Sequence, residues 1–116
     1  MRIEYPAFGR IVVNGTEYRH DLVLEDGRLR ERDKGPSKGL KGRFGHTPLS
    51  VEEDIPWSRR LVIGSGYSGR LPILSEVEDE AKDRGVDLVV MPTAEAVGLL
   101  NKGDLSEANA ILHVTC

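Results

Sequence analysis

Short apolar runs broken by turn residues organise the first third of the chain. "FGRIVV" and "EYRHDLVL" read as strands, and Asn14-Gly15 between them tolerates the positive φ angles of a tight hairpin turn. Asp26-Gly27 repeats the signal and leads into a short polar strand near Arg28–Arg32. The pattern predicts an antiparallel three-stranded meander within residues 1–33. After a polar, Gly-rich stretch at 34–48, Ser50 and Glu53 have the spacing of a capping box, for a helical turn that Pro56 stops.

The second half, 60–116, has another rhythm. "RLVI" is a short buried strand, and "SEVEDEAKDR" is a helix with Ser75 as N-cap and Gly85 at its C-terminus. "VDLVVM" follows as a strand. Thr93 is placed to cap a helix "AEAVGLLNK" that Gly103 ends, and "ANAILHV" is the last strand. A β-α-β-α-β order after a meander predicts a single α/β domain of three layers with a central mixed sheet.

Composition adds bounds. At 116 residues, 39% hydrophobic and 30% charged, the chain has the size and balance of one globular domain. No apolar run approaches the roughly 20 residues that span a bilayer, and the N-terminus lacks the apolar core of a secretory signal, so the expected location is cytoplasmic without membrane insertion. One cysteine allows no internal disulfide. The net charge of −3 is uneven: Arg28–Gly45 holds seven cations against two acids, a local +5 that leaves −8 elsewhere. Arg30, Lys38, Lys41 and Arg43 in this basic stretch are candidate contacts for a partner protein or for phosphates. Phe44 is the single aromatic there to stack on a base, which disfavours nucleic acid.

"GSGYSG", residues 64–69, fits the G-x-G-x-x-G dinucleotide fingerprint and follows a strand. That motif works when its glycines open a helix whose free N–H groups meet the pyrophosphate. Here Pro72 follows closely, the expected N-cap is Ser75, and no acid closes the second strand. The glycines are expected to bend the chain off its strand, and no cofactor is assigned. A strand-end cleft remains a candidate for a small anion or polar metabolite, built from Gly64, Ser65, Gly66, Thr93, Glu95 and Asn101.

"FGRIVVNGTEYRHD", Gly45-His46, "LVIGSGYSG", "MPTAEAV", Asn101 and the closing "LHVTC" together resemble the small domain shared by mitochondrial complex I assembly factor three, the human adipogenesis-associated domain protein and many uncharacterised bacterial and archaeal proteins. The resemblance spans nearly the whole chain. It implies a three-layer α/β domain with an added β layer, an assembly-type role, and no reaction or cofactor. It marks Gly64, Gly66, Thr93, Asn101, His113 and Cys116 as shared structure or a shared pocket. Residues 50–60 depart from the pattern, being too short for the longer helix associated with that region.

The remaining reactive residues form no complete catalytic set. His113 and Cys116 stand three apart, which on a strand places them on opposite faces. His20, His46, His113 and Cys116 have no zinc-module spacing, so no metal is assigned. Trp57 beside Arg59 and Arg60 fits either a protein contact or a cover over the core edge. The leading expectation is a non-catalytic protein-binding domain, with a small-molecule enzyme or sensor and a nucleic-acid binder as alternatives and a homodimer as the expected assembly.

Overall fold

A computed structural model describes residues 1–40, 47–103 and 108–116. Strands β1 (Ile3–Ala7), β2 (Arg10–Val13) and β3 (Thr16–Tyr18) form an antiparallel three-stranded sheet. Asn14 and Gly15 both adopt positive φ, 50° and 84°, in the predicted hairpin turn. The chain then enters a second sheet through β4 (Leu22–Glu25) and β5 (Arg28–Glu31), turned by Asp26 and Gly27.

The expected strand over residues 17–24 is therefore two strands in two sheets. It breaks at Arg19–Asp21 because the Asp21 carboxylate is drawn into the interior by partners described below. The meander consequently starts earlier in the chain, at Ile3, and the Arg28 strand pairs in the other sheet.

After a 3-10 helix at Gly35–Leu40, the β-α-β-α-β half follows as predicted: β6 (Arg60–Gly64), α1 (Ser75–Asp83), β7 (Asp87–Met91), α2 (Thr93–Lys102) and β8 (Ala108–Leu112). The five-stranded sheet has the order β5-β4-β8-β6-β7. β6 runs parallel to β7 and β8, whereas β4 is antiparallel to β5 and β8, so the sheet is mixed.

Period-2 alternation gives this sheet two buried faces. Leu22, Leu24, Val62, Ala110 and Leu112 pack against Ile3, Ile11 and Val13 of the small sheet and Ala96, Val97 and Leu100 of α2. Val23, Leu61, Ile63 and Ile111 point the other way, onto Leu49, Ile55, Leu71 and Val77 of α1. Three layers result, with the mixed sheet in the middle.

Local capping rules succeed at two helix ends, Gly85 and Gly103, and fail at others. Gly85, with φ +68°, ends α1 in a Schellman arrangement, Val86 N–H to Ala81 O at 2.8 Å and Gly85 N–H to Lys82 O at 3.1 Å. Ser75 is the first helical residue and Leu74 the N-cap, without a side-chain cap. Ser50–Asp54 forms a turn and no helix, because the Glu53 carboxylate is engaged by Arg32. Thr93 likewise does not cap α2, for its hydroxyl is committed to the neighbouring loop.

Candidate functional site

β6 ends at Gly64, and the chain turns away from the sheet over Gly66 (φ +110°) and Gly69 (φ +68°) before α1 begins at Ser75. No helix opens on the glycines. The loop amides, which a diphosphate would need free, have internal acceptors. Ser65 N–H bonds Met91 O at 2.8 Å, Gly66 N–H the Thr93 hydroxyl at 2.9 Å, and Tyr67 N–H the Thr115 carbonyl at 2.8 Å. The amides of Ser68 and Arg70 both donate to the main-chain oxygen of Cys116 at 3.1 Å, and those of Gly69 and Leu71 close the turn on Gly66 O and Ser65 O. The dinucleotide-like motif is thus a cradle filled by the chain's own segment 113–116.

Thr93 joins the two pieces: its buried hydroxyl donates to His113 O at 2.6 Å while accepting from Gly66 N–H. Gly64, Ser65, Gly66 and Thr93 therefore do come together, with their polar groups spent on one another. Glu95 is exposed in the first turn of α2. Asn101 lies elsewhere and clamps β1 from α2, its amide bonding both the N–H and the carbonyl of Ile3, at 3.0 and 2.7 Å.

Segment 113–116 is gripped from the small sheet as well. Gly9 N–H and the Tyr5 hydroxyl both donate to Val114 O, at 2.6 and 2.5 Å. Tyr5 brings a surface feature with it. Phe8 and Tyr67 are 55% and 60% exposed, their rings meet edge to face at 6.0 Å, and Tyr67 meets Tyr5 in the same manner at 6.3 Å.

Beneath this segment lies a charged network that the sequence did not reveal. Asp21, Arg32, Glu53 and His113 are each at most 7% exposed. One Asp21 oxygen accepts from Arg32 Nη1 at 2.9 Å and pairs with His113 Nδ1 at 2.8 Å, and the other accepts from Val114 N–H at 3.0 Å. Arg32 donates from Nε and Nη2 to the two Glu53 oxygens, each at 2.8 Å, and from Nη2 to Pro48 O at 3.1 Å. Ser37 completes the Glu53 shell at 2.6 Å and contacts Ser50 at 2.7 Å. On the far side of the imidazole, His113 Nε2 is 3.3 Å from the Thr115 hydroxyl.

Burial alone pushes the Asp21 carboxyl upward, but the His113 hydrogen bond and charge, the Val114 N–H and Lys34 outweigh it and hold the group at about 2. Burial opposes the Arg32 charge, and the bonds and charges of Glu53 and Asp21 more than reverse that, raising its pKa. A carboxyl whose folded pKa lies below its ordinary 3.8 stabilises the fold above pH 3.8 and loses that stabilisation as pH falls toward 2. The shift corresponds to about 2 kcal/mol. Acid titration followed by circular dichroism is expected to show this loss in the native protein, and an Asp21→Asn variant that melts with the same pH dependence would contradict it.

Of the other predicted contact residues, Arg30 and Lys38 lie within the described residues. Arg30 is occupied by Asp54 O at 2.7 Å and by Glu25 and Asp54 carboxylates, so it is not free for phosphate. Lys38 is exposed and lines an open cleft of about 560 Å³ with Lys34, Arg32, Glu31 and Thr47. Lys41, Arg43, Phe44 and His46 lie outside the described residues. Trp57 is half-buried over the α1-side core, with the Arg84 guanidinium 5.1 Å from its ring, which fits the core-edge reading. Arg60 pairs with Asp87 at 3.1 Å. His20 stacks edgewise on Tyr18, and among the described residues no group of His, Cys, Asp and Glu is arranged to hold a metal. Among the described residues no helix is long and apolar enough to cross a membrane.

These features define a three-layer α/β domain whose Gly-rich turn is closed by its own chain. A conserved hypothetical protein from Pyrococcus horikoshii OT3 shares this fold with a TM-score of 0.82 and 32% identity over 100% of both chains. The chain belongs to the same family as that protein. The protein MT938 is similar at 28% identity, with a TM-score of 0.72 over 99% of this chain and 98% of its own. A Xanthomonas campestris protein solved by NMR, 16% identical over 98% of this chain and 86% of its own, shares the fold with a TM-score of 0.60. No protein-family model and no curated protein matches the sequence.

Proposed function

We propose that this protein is a non-catalytic, assembly-type binding domain of the cytoplasm, and that it engages a partner protein through the aromatic surface of Tyr5, Phe8 and Tyr67. The observation that carries the reading is the exposure of the Phe8 and Tyr67 rings on a rigid support. Tyrosine and phenylalanine supply large contact area at low entropic cost, and an exposed aromatic group is a common anchor of protein interfaces. Half of the chain's six aromatic residues stand in this one group. The resemblance to the domain of complex I assembly factor three and the adipogenesis-associated domain protein supports the same role. The filled Gly-rich cradle supports it too, because the loop amides have no donor left for an anion.

A photo-crosslinking side chain at position 8 tests the proposal in cells. It is expected to trap a defined heterologous protein, and Tyr67→Ser is expected to abolish the adduct while leaving the melting temperature within a degree or two, since exposed positions carry at most about 0.5 kcal/mol. Lys102→Ala on the exposed end of α2 serves as control. Adducts that persist in Tyr67→Ser, or that contain only a second copy of this chain, would overturn the heterologous-partner reading.

A further inference from the structure

Asp21, His113 and Thr115 stand in the order of a hydroxyl relay. The Asp21 carboxylate meets Nδ1 of His113 at 2.8 Å, and Nε2 of the same ring meets the Thr115 hydroxyl at 3.3 Å. In the neutral ring with Nδ1–H donating to Asp21, Nε2 is the bare nitrogen and accepts from the hydroxyl. This is the geometry in which a base activates a weak nucleophile while a third group fixes the tautomer. We propose that Thr115 is a nucleophile that accepts an acyl group from an activated ester. The inference rests on the relay and not on the partner-binding reading.

The setting fits the chemistry. His113 and Asp21 are buried and hydrogen-bonded on several sides, which holds the base in place, whereas Thr115 is half-buried and reaches the surface. The main chain of 113–116 is pinned by Gly9, Tyr5, Tyr67, Ser68 and Arg70, so the hydroxyl is held in register with the ring. Tyr67, whose amide holds the Thr115 carbonyl, carries an exposed ring that meets Tyr5 and Phe8. His113 Nε2 takes the hydroxyl proton as Thr115 Oγ1 bonds the acyl carbon. The bond from that carbon to the leaving oxygen then breaks, and the proton passes from Nε2 to the departing oxyanion. The products are a threonine ester and an alcohol, with no oxidant or reductant needed. The nearby loop amides of Tyr67, Ser68 and Arg70 are committed to Thr115 O and Cys116 O. They do not serve as an oxyanion hole, whose donors are each worth roughly 100- to 1000-fold. Single acylation rather than rapid turnover is therefore the expected outcome.

Incubation of the folded protein with p-nitrophenyl butyrate, followed by intact mass and peptide mapping, is the test. Cys116→Ala serves as background to remove the neighbouring thiol. One butyryl group is expected on Thr115, at a rate at least roughly 100-fold above that at exposed Thr16, the lower bound of what a positioned general base supplies. Thr115→Val should remove the adduct, Thr115→Ser restore it, and His113→Gln slow it at least about tenfold. Acylation of Thr115 no faster than Thr16, acylation confined to lysines, or a rate unchanged in His113→Gln would overturn the assignment. The Thr115 variants keep the proposal falsifiable if His113→Gln does not fold.

Discussion

Replacement of Arg32 by Met is expected to lower stability by about 3–5 kcal/mol. The guanidinium satisfies Asp21 and both oxygens of Glu53 from one planar fork, at 2.8–2.9 Å, with its side chain 1% exposed. Removing it takes the buried cation from two carboxylates and leaves Asp21 hydrogen-bonded to His113 and the Val114 N–H and Glu53 to Ser37. For a domain of this size the melting temperature should fall by roughly 10–20 °C. Arg32→Lys should fall between, because an ammonium keeps the charge but cannot serve both acids in the same geometry. Arg32→Met with Glu53→Met should recover part of the loss, since an apolar pair in place of a buried ion pair is often neutral. A calorimetric scan of the three variants checks the order. An Arg32→Met protein that melts within a few degrees of the native one would show that water enters the network and that the charges are not truly buried.

That network also marks where local pattern stops being informative. The strands of the second half and the Gly85 stop are visible because they depend on residues within a few positions of one another. The turns at Asn14-Gly15 and Asp26-Gly27 are visible for the same reason. Asp21 and His113 are 92 positions apart, and Arg32 and Glu53 are 21 apart. Each looks in the sequence like an ordinary surface charge; the pairing of β4 with β8 brings Asp21 to His113, and that of β4 with β5 brings Arg32 beside Asp21. One weak signal existed: Asp21 directly precedes the apolar run Leu22–Leu24, and His113 directly follows that of β8.

Thr93 and Glu53 show the opposite error. A local capping rule assigns both to helix ends, and tertiary partners claim both side chains instead, Thr93 for Gly66 and His113, Glu53 for Arg32. The Gly-rich motif bends the chain as its sequence predicts, yet nothing in its six residues announces that segment 113–116 fills the cradle. That fact requires β8 to lie beside β6, so that the chain leaving β8 crosses the mouth of the loop.

The cradle has its own test in Gly66→Ala, expected to cost about 3 kcal/mol or more. A methyl group there would stand 2.3 Å from the Cys116 carbonyl carbon and 2.6 Å from Thr115 O, main-chain atoms that cannot swing aside like the tip of a side chain. The residue also sits at φ +110°, where an L side chain is strained. Gly85→Ala serves as the reference. Gly85 has φ +68° with nothing within 4 Å of the added carbon, so it should lose only the roughly 1–2 kcal/mol of conformational strain. The difference between the variants then combines the clash with segment 113–116 and the greater strain at φ +110° than at +68°. Amide hydrogen exchange locates it: Tyr67, Ser68 and Arg70, whose N–H groups bond Thr115 O and Cys116 O, should exchange faster in Gly66→Ala and not in Gly85→Ala. Equal destabilisation of the two variants, with those three amides equally protected, would mean that segment 113–116 does not occupy the loop in solution. The amides would then be free donors, and the small-anion reading of Gly64–Gly69 would regain its physical basis.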